Sequence, residues 1–137
     1  MVSGVWDITG SAVERDGVRY CRFLRWLDWI LKEHGLPNEI VYEKVRFHGR
    51  NAGVDAPHLY GALKGLLLVW CEIHKVRYRG LWVATVKKFA TGNGNAKKAI
   101  VLEAAQRRWP QACIEDDNEA DARWVAATHA AKMVQRT

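Results

Sequence analysis

At 137 residues, with 49% apolar and 26% charged side chains and a formal net charge of +6, the chain has the balance of a single globular domain long enough to bury a core. The best apolar run, Leu66–Trp70, falls far short of the roughly 18 residues of a membrane span, and Asp7 interrupts any apolar leader, so neither a membrane protein nor a secreted one is expected. Three widely spaced cysteines, Cys21, Cys71 and Cys113, do not form a disulfide framework and point to a reducing, cytoplasmic compartment.

In chain order, Val5, Trp6 and Ile8 predict a short strand within Val2–Ile8, followed by a turn at Gly10–Ser11. Tyr20, Phe23, Leu24, Leu27, Ile30 and Leu31 recur at three and four residues and predict a helix over 17–34, stopped by Gly35 and Pro37. Ile40, Val41, Tyr42 and Val45 predict a strand over 39–47, and Gly49–Gly53 a loop. Pro57 opens a second helix that runs to about His74, with Leu59, Leu63, Leu66, Leu67 and Trp70 facing inward. Leu81, Trp82, Val83, Thr85 and Val86 predict a strand within 78–89. A glycine loop at Thr91–Asn95 leads into a third helix over 96–109, closed by Pro110. A short connection over 112–117 precedes a last helix over 119–134. The alternation of strands and helices predicts one α/β domain with some parallel pairing and no internal repeat or linker.

The charge is unevenly laid out. From Ile73 to Leu102 there are seven basic residues (Lys75, Arg77, Arg79, Lys87, Lys88, Lys97 and Lys98) and no acid, whereas Glu115–Asp121 packs five acids into seven residues. A basic belt suits a polyanion, most simply nucleic acid, and an acidic cluster suits either a solvated turn or a divalent cation. The two together are what a metal-dependent nuclease requires.

Three constellations carry that chemistry. Glu43 lies toward the C-terminal end of an apolar strand, where α/β folds place their sites, although a half-exposed edge residue has the same pattern. Asp117 and Asp121 are four apart and Asn118 and Asp121 three apart, so either pair shares one helix face; the plainer reading is an acidic first turn capped by Asp117 or Asn118. In Thr91-Gly92-Asn93-Gly94-Asn95-Ala96-Lys97-Lys98 the two glycines allow close approach of backbone to phosphate, and Lys97 and Lys98 add charge, although it is neither a P-loop nor a dinucleotide fingerprint. Cys71 and His74 form a lone pair without the second half of a zinc site and read as packing or surface. Trp26 and Trp29 flank the first helix stripe as candidate interface residues.

Taken in order, Val41-Tyr42-Glu43-Lys44-Val45, Thr85-Val86-Lys87-Lys88, the glycine loop with its lysines and Asp116-Asp117-Asn118-Glu119-Ala120-Asp121 resemble the RuvC-type Holliday junction resolvases, in particular their phage and prophage branch. The resemblance covers nearly the whole chain. It implies a ribonuclease H-like fold, a mixed five-stranded sheet flanked by helices. It also implies cleavage of branched DNA in recombination, Mg²⁺ (with Mn²⁺ as substitute) held by clustered carboxylates, and a homodimer. Carried over residue by residue, Glu43 and Asp121 would be metal ligands and Asp117 or Asn118 the third. Lys98 would be the catalytic basic residue after the loop, and Lys87, Lys88, Gly92, Gly94, Lys97 and Lys98 would meet DNA. The family opens with a strand bearing an aspartate, ahead of the segment that Ser3–Asp7 matches. The resemblance therefore implies that this first strand is missing here; Asp7 is an alternative first ligand, but its neighbours match the second strand better. Without that aspartate, a catalytically silent DNA-binding module on the same fold is the alternative function.

Overall fold

The computed structural model describes residues 4–9, 15–46 and 55–135. The turn at Gly10–Ser11 and the loop at Gly49–Gly53 lie outside them. The elements are α1 (Asp16–His34), β1 (Glu39–Lys44), α2 (Asp55–His74), β2 (Arg77–Trp82), α3 (Val83–Thr91), α4 (Lys98–Arg108), a 3₁₀ turn at Pro110–Ala112 and α5 (Asp117–Val134). Among the described residues the helices outnumber a small sheet in which β1 pairs with β2. No described helix is long and apolar enough to cross a membrane.

The two strands advance in the same direction. Arg77 Nε donates to the carbonyl of Asn38, Gly80 lies against Tyr42 and Lys44, and the Lys44 ammonium sits 4.7 Å from the centre of the Trp82 ring. This is parallel register, with α2 as the crossover that parallel strands need. Gly80 is required by the closeness of that register: a Cβ there would stand 2.6 Å from Lys44 Cγ.

The chain divides into two compact units. One takes in Trp6–Ile40 and Arg46–Tyr78, the other Met1–Val5, Val41–Val45 and Arg79–Thr137, counting the described residues of each. In the first, α1 packs on α2 around Leu27, Trp70, Cys71 and Val76, with Phe23, Leu24, Leu31 and Leu67 against them. The 3.6-residue stripe read from the sequence is therefore the face that packs. Gly35 ends α1 at φ 78°, a conformation that suits glycine, and its N–H donates to the Leu31 carbonyl. Trp70, expected to face inward, is buried: its Nε1 donates to Asp28 Oδ1 at 2.8 Å and its ring lies 4.3 Å from that of His74. Cys71 is fully buried, so this Cys/His pair packs.

In the second unit α3, α4 and α5 pack on one another around Leu81, Val86, Val101, Ala105, Ile114, Ala120, Trp124 and Val125. Trp124 holds the centre, donating from Nε1 to the Val101 carbonyl at 3.2 Å with its ring 4.7 Å from that of Trp109.

Two expected strands differ. The segment 78–89 is strand only to Trp82; from Val83 the chain turns helical. Val83, Val86 and Ala90 fall at helical spacing, and Val86 is buried in the three-helix core, so packing overrides β-propensity. Residues 4–9 form no strand. There Trp6 stacks on Trp26 and Trp29 at ring distances of 6.5 and 5.7 Å, and Thr9 donates from its N–H and Oγ1 to Asp7 Oδ1.

Candidate active site and nucleic-acid interface

The site lies within the second unit, and the periods of its elements place it. Along β1 alternate residues face alternate sides, so Glu43 shares a side with Val41, which packs on the helical core. On α5, Asp117, Asp121, Val125 and Thr128 follow at helical spacing, with Val125 and Thr128 buried. Asp121 therefore sits where the buried stripe gives way to the acidic first turn, and is half-buried.

Glu43 and Asp121 meet electrostatically. Burial, and then the Asp121 charge, push the Glu43 carboxyl above its ordinary range, while Lys87 and Lys98 pull it down. Burial likewise raises Asp121; Lys98 and Lys87 lower it and Asp117 raises it further. Two half-buried carboxylates that resist ionisation form an oxygen donor pair that a hard cation relieves, which is the chemistry that suits Mg²⁺.

Asp117 is engaged elsewhere. Its Oδ2 accepts from Lys98 Nζ at 2.5 Å. That hydrogen bond, before any other cause, lowers the Asp117 carboxyl and raises the Lys98 ammonium. Among the described residues no group of three or more acids, histidines or cysteines converges on one point. Asn118 is exposed, and its backbone N–H donates to Asp116 Oδ1 at 2.7 Å. The cap of α5 is thus Asp116, which also accepts from the Glu119 N–H, and neither Asp117 nor Asn118. Asp7, the alternative ligand, is exposed in the other unit and held low by its hydrogen bonds from Thr9.

The basic side is built around the glycine loop. Gly92 closes α3 at φ 81°, its N–H donating to the Lys88 carbonyl, and a Cβ on Gly94 would stand 3.0 Å from the Ala84 carbonyl oxygen. Gly92 thus has a conformational reason to be there and Gly94 a steric one. Thr91 Oγ1 donates to the Lys87 carbonyl, and the Asn95 N–H donates to Asn93 Oδ1. Lys87 Nζ donates to the Ala96 carbonyl at 2.7 Å, a fastening that the charge count did not reveal. Lys97 precedes α4 and Lys98 begins it, with no side-chain cap and no acid in the first turn, so the positive end of the helix dipole and two lysines point the same way. Lys88 and Lys97 are exposed. The structure brings Glu43, Asp121, Asp117, Lys87 and Lys98 together, with Gly92, Gly94 and Lys97 in the adjoining loop.

No family model and no curated sequence matches the chain. Among solved structures it is similar to RuvC of Thermus thermophilus, at 24% identity and a TM-score of 0.69, over 90% of this chain and 74% of that one. It is also similar to T. thermophilus RuvC in complex with Holliday junction substrate, at 23% identity and a TM-score of 0.67, over 90% and 73%. The likeness establishes the architecture: the chain has a RuvC-like fold, a mixed α/β arrangement of the ribonuclease H type with its small sheet flanked by helices.

Proposed function

We propose that the chain is a Mg²⁺-dependent endonuclease that cleaves branched DNA such as Holliday junctions, acting as a homodimer in DNA recombination in the cytoplasm of a bacterial host or for a phage. The observation that carries the reading is the pairing of Glu43 from β1 with Asp121 from α5, both half-buried and both raised above their ordinary range, on a RuvC-like fold. That a T. thermophilus RuvC structure holds a Holliday junction supports branched DNA as the substrate. The basic loop supports a polyanionic one.

Glu43 and Asp121 would hold the metal, with Asp117, or Asn118 beside it, as the third ligand. When bound, Mg²⁺ supplies charge stabilisation at the scissile phosphate and lowers the pKa of an attacking water. The chain's own residues do the rest. Lys98, freed from Asp117 by phosphate, would place its ammonium against the substrate oxygens. The Lys97 and Lys98 charges at the start of α4 would hold the strand without reading its sequence.

The test is Glu43→Gln and Asp121→Asn, each assayed on a four-way junction. Loss of Mg²⁺-dependent cleavage with junction affinity nearly unchanged supports the reading; cleavage that survives both substitutions overturns it. The ion pair that engages Asp117 favours a second reading, a DNA-binding module without catalysis. Junction binding with no cleavage by the unaltered chain in Mg²⁺ or Mn²⁺ would select it.

A further inference from the structure

A cavity of about 270 Å³ opens in the second unit between β2 with the start of α3 and the C-terminal part of α5. Arg79, Trp82, Thr85, His129, Lys132 and Met133 line it, and none of the residues placed at the metal and DNA site does. Along α5, Lys132 stands eleven residues beyond Asp121, about 16 Å at the helical rise.

The lining has a definite chemistry. Arg79 contributes a guanidinium, Lys132 an ammonium and His129 an imidazole, and no carboxylate is among the lining residues. Trp82 is 40% exposed and Met133 39%, so an indole and a thioether form the apolar part. The Lys44 ammonium, 4.7 Å from the Trp82 ring, adds positive charge beside that ring. Thr85 supplies a hydroxyl. A flat aromatic surface bordered by cations and a hydroxyl matches one class of ligand that is planar at one end and anionic at the other. The volume is slightly below the range of small-molecule sites, roughly 300–1,000 Å³, which suits a single such unit rather than a larger cofactor.

We propose that this cavity binds one nucleotide unit, its base against Trp82 and Met133 and its phosphate among Arg79, His129 and Lys132. Two sources supply that chemistry: a free mononucleotide, or one nucleotide of a single strand laid across the surface. The site is separate from the carboxylate pair and needs no cleavage to be observed.

The test follows the indole N–H resonance of Trp82 in the full chain, identified by its loss in Trp82→Phe. The probes are dAMP, inorganic phosphate and a five-residue deoxyadenosine strand. To keep the metal site from contributing, the titrations use Glu43→Gln, which leaves the cavity lining intact. Saturable shifts of the Trp82 signal by dAMP, with the strand no tighter, identify a free nucleotide. A strand that binds at least about tenfold more tightly than dAMP identifies a unit of single-stranded DNA. In either case Arg79→Gln with Lys132→Gln must weaken binding about tenfold or more while the remaining spectrum is unchanged. The proposal is overturned if neither dAMP nor the strand moves the Trp82 signal at millimolar concentration, if phosphate alone binds as well as dAMP, or if the double variant binds as the parent does. Failure here leaves junction cleavage untouched, and failure of Glu43→Gln to abolish cleavage leaves the cavity untouched, so the two readings fall separately.

Discussion

Lys98 Nζ lies 2.5 Å from Asp117 Oδ2, and through this ion pair the first residue of α4 holds the first residue of α5. The same ammonium acts on Glu43 and Asp121, pulling both carboxyls down against the burial that raises them. One lysine thereby acts on three acids, as the dominant influence on Asp117 and against the stronger effect of burial on Glu43 and Asp121.

Lys98→Ala should therefore shift all three carboxyls upward. Asp117 loses the hydrogen bond that lowers it, and Glu43 and Asp121 lose a compensating charge. Carboxyl ¹³C titration by NMR checks this. An Asp117 that titrates unchanged in the variant would show that the ion pair does not persist in solution.

The raised carboxyls also fix the sign of a pH effect. Folding raises Glu43 and Asp121, so the folded chain holds more protons than the unfolded chain between the two sets of pKa values. The contribution of these groups then improves as pH falls through the folded values, and their ionisation above that range destabilises the fold. In metal-free buffer at pH 7, Glu43→Gln and Asp121→Asn should each melt above the parent, and the difference should shrink on acidification. Thermal melts between pH 4 and 8 in the presence of chelator measure it. A Glu43→Gln protein that melts below the parent at neutral pH would contradict the direction of the shift.

Of the adjacent lysines, Lys88 is the cleaner probe of DNA contact. Lys87 donates to the Ala96 carbonyl, and losing a charged hydrogen bond of this kind costs about 1.5–3 kcal/mol. Lys87→Ala should lower both stability and DNA affinity, Lys88→Ala only affinity. If roughly five phosphates are met, log K against log salt should slope near −4 to −5 for the parent and less steeply for Lys88→Ala. A salt-independent affinity would remove DNA as the partner.

Asp116 and Asp117 should separate by role. Asp116 caps α5 with two backbone hydrogen bonds, so Asp116→Ala should cost about 0.5–2 kcal/mol in urea denaturation. Asp117→Asn weakens an exposed ion pair and should change stability little. Equal losses for the two would contradict the assignment of the cap.

Much of this site was legible in the chain because it follows from period and spacing. Alternation along β1 sets Glu43 on the side of Val41, and the four-residue step from Asp117 to Asp121 sets both on one face of α5. The α1 stripe and its Gly35 stop were equally plain. What the sequence concealed depends on long-range contacts. Val83–Thr91 is rich in β-formers, and only the core around Val86 makes it a helix. Periodicity turns Trp70 inward, but its partner Asp28, 42 residues earlier on another helix, accepts the indole N–H through a contact that no local spacing announces. The Lys98–Asp117 pair spans 19 residues and joins two charge runs that composition presents as separate features.

The fastening of the 91–96 loop has a kinetic meaning. The Lys87 ammonium, the Thr91 hydroxyl and the Asn93 side chain already hold its backbone through hydrogen bonds of 2.7, 2.9 and 2.9 Å. A strand that docks there meets a surface that has given up its conformational freedom during folding, not during encounter. Association then carries little ordering entropy on the protein side. If DNA docks there, the encounter rate should be governed by long-range attraction and orientation rather than by rearrangement of the loop.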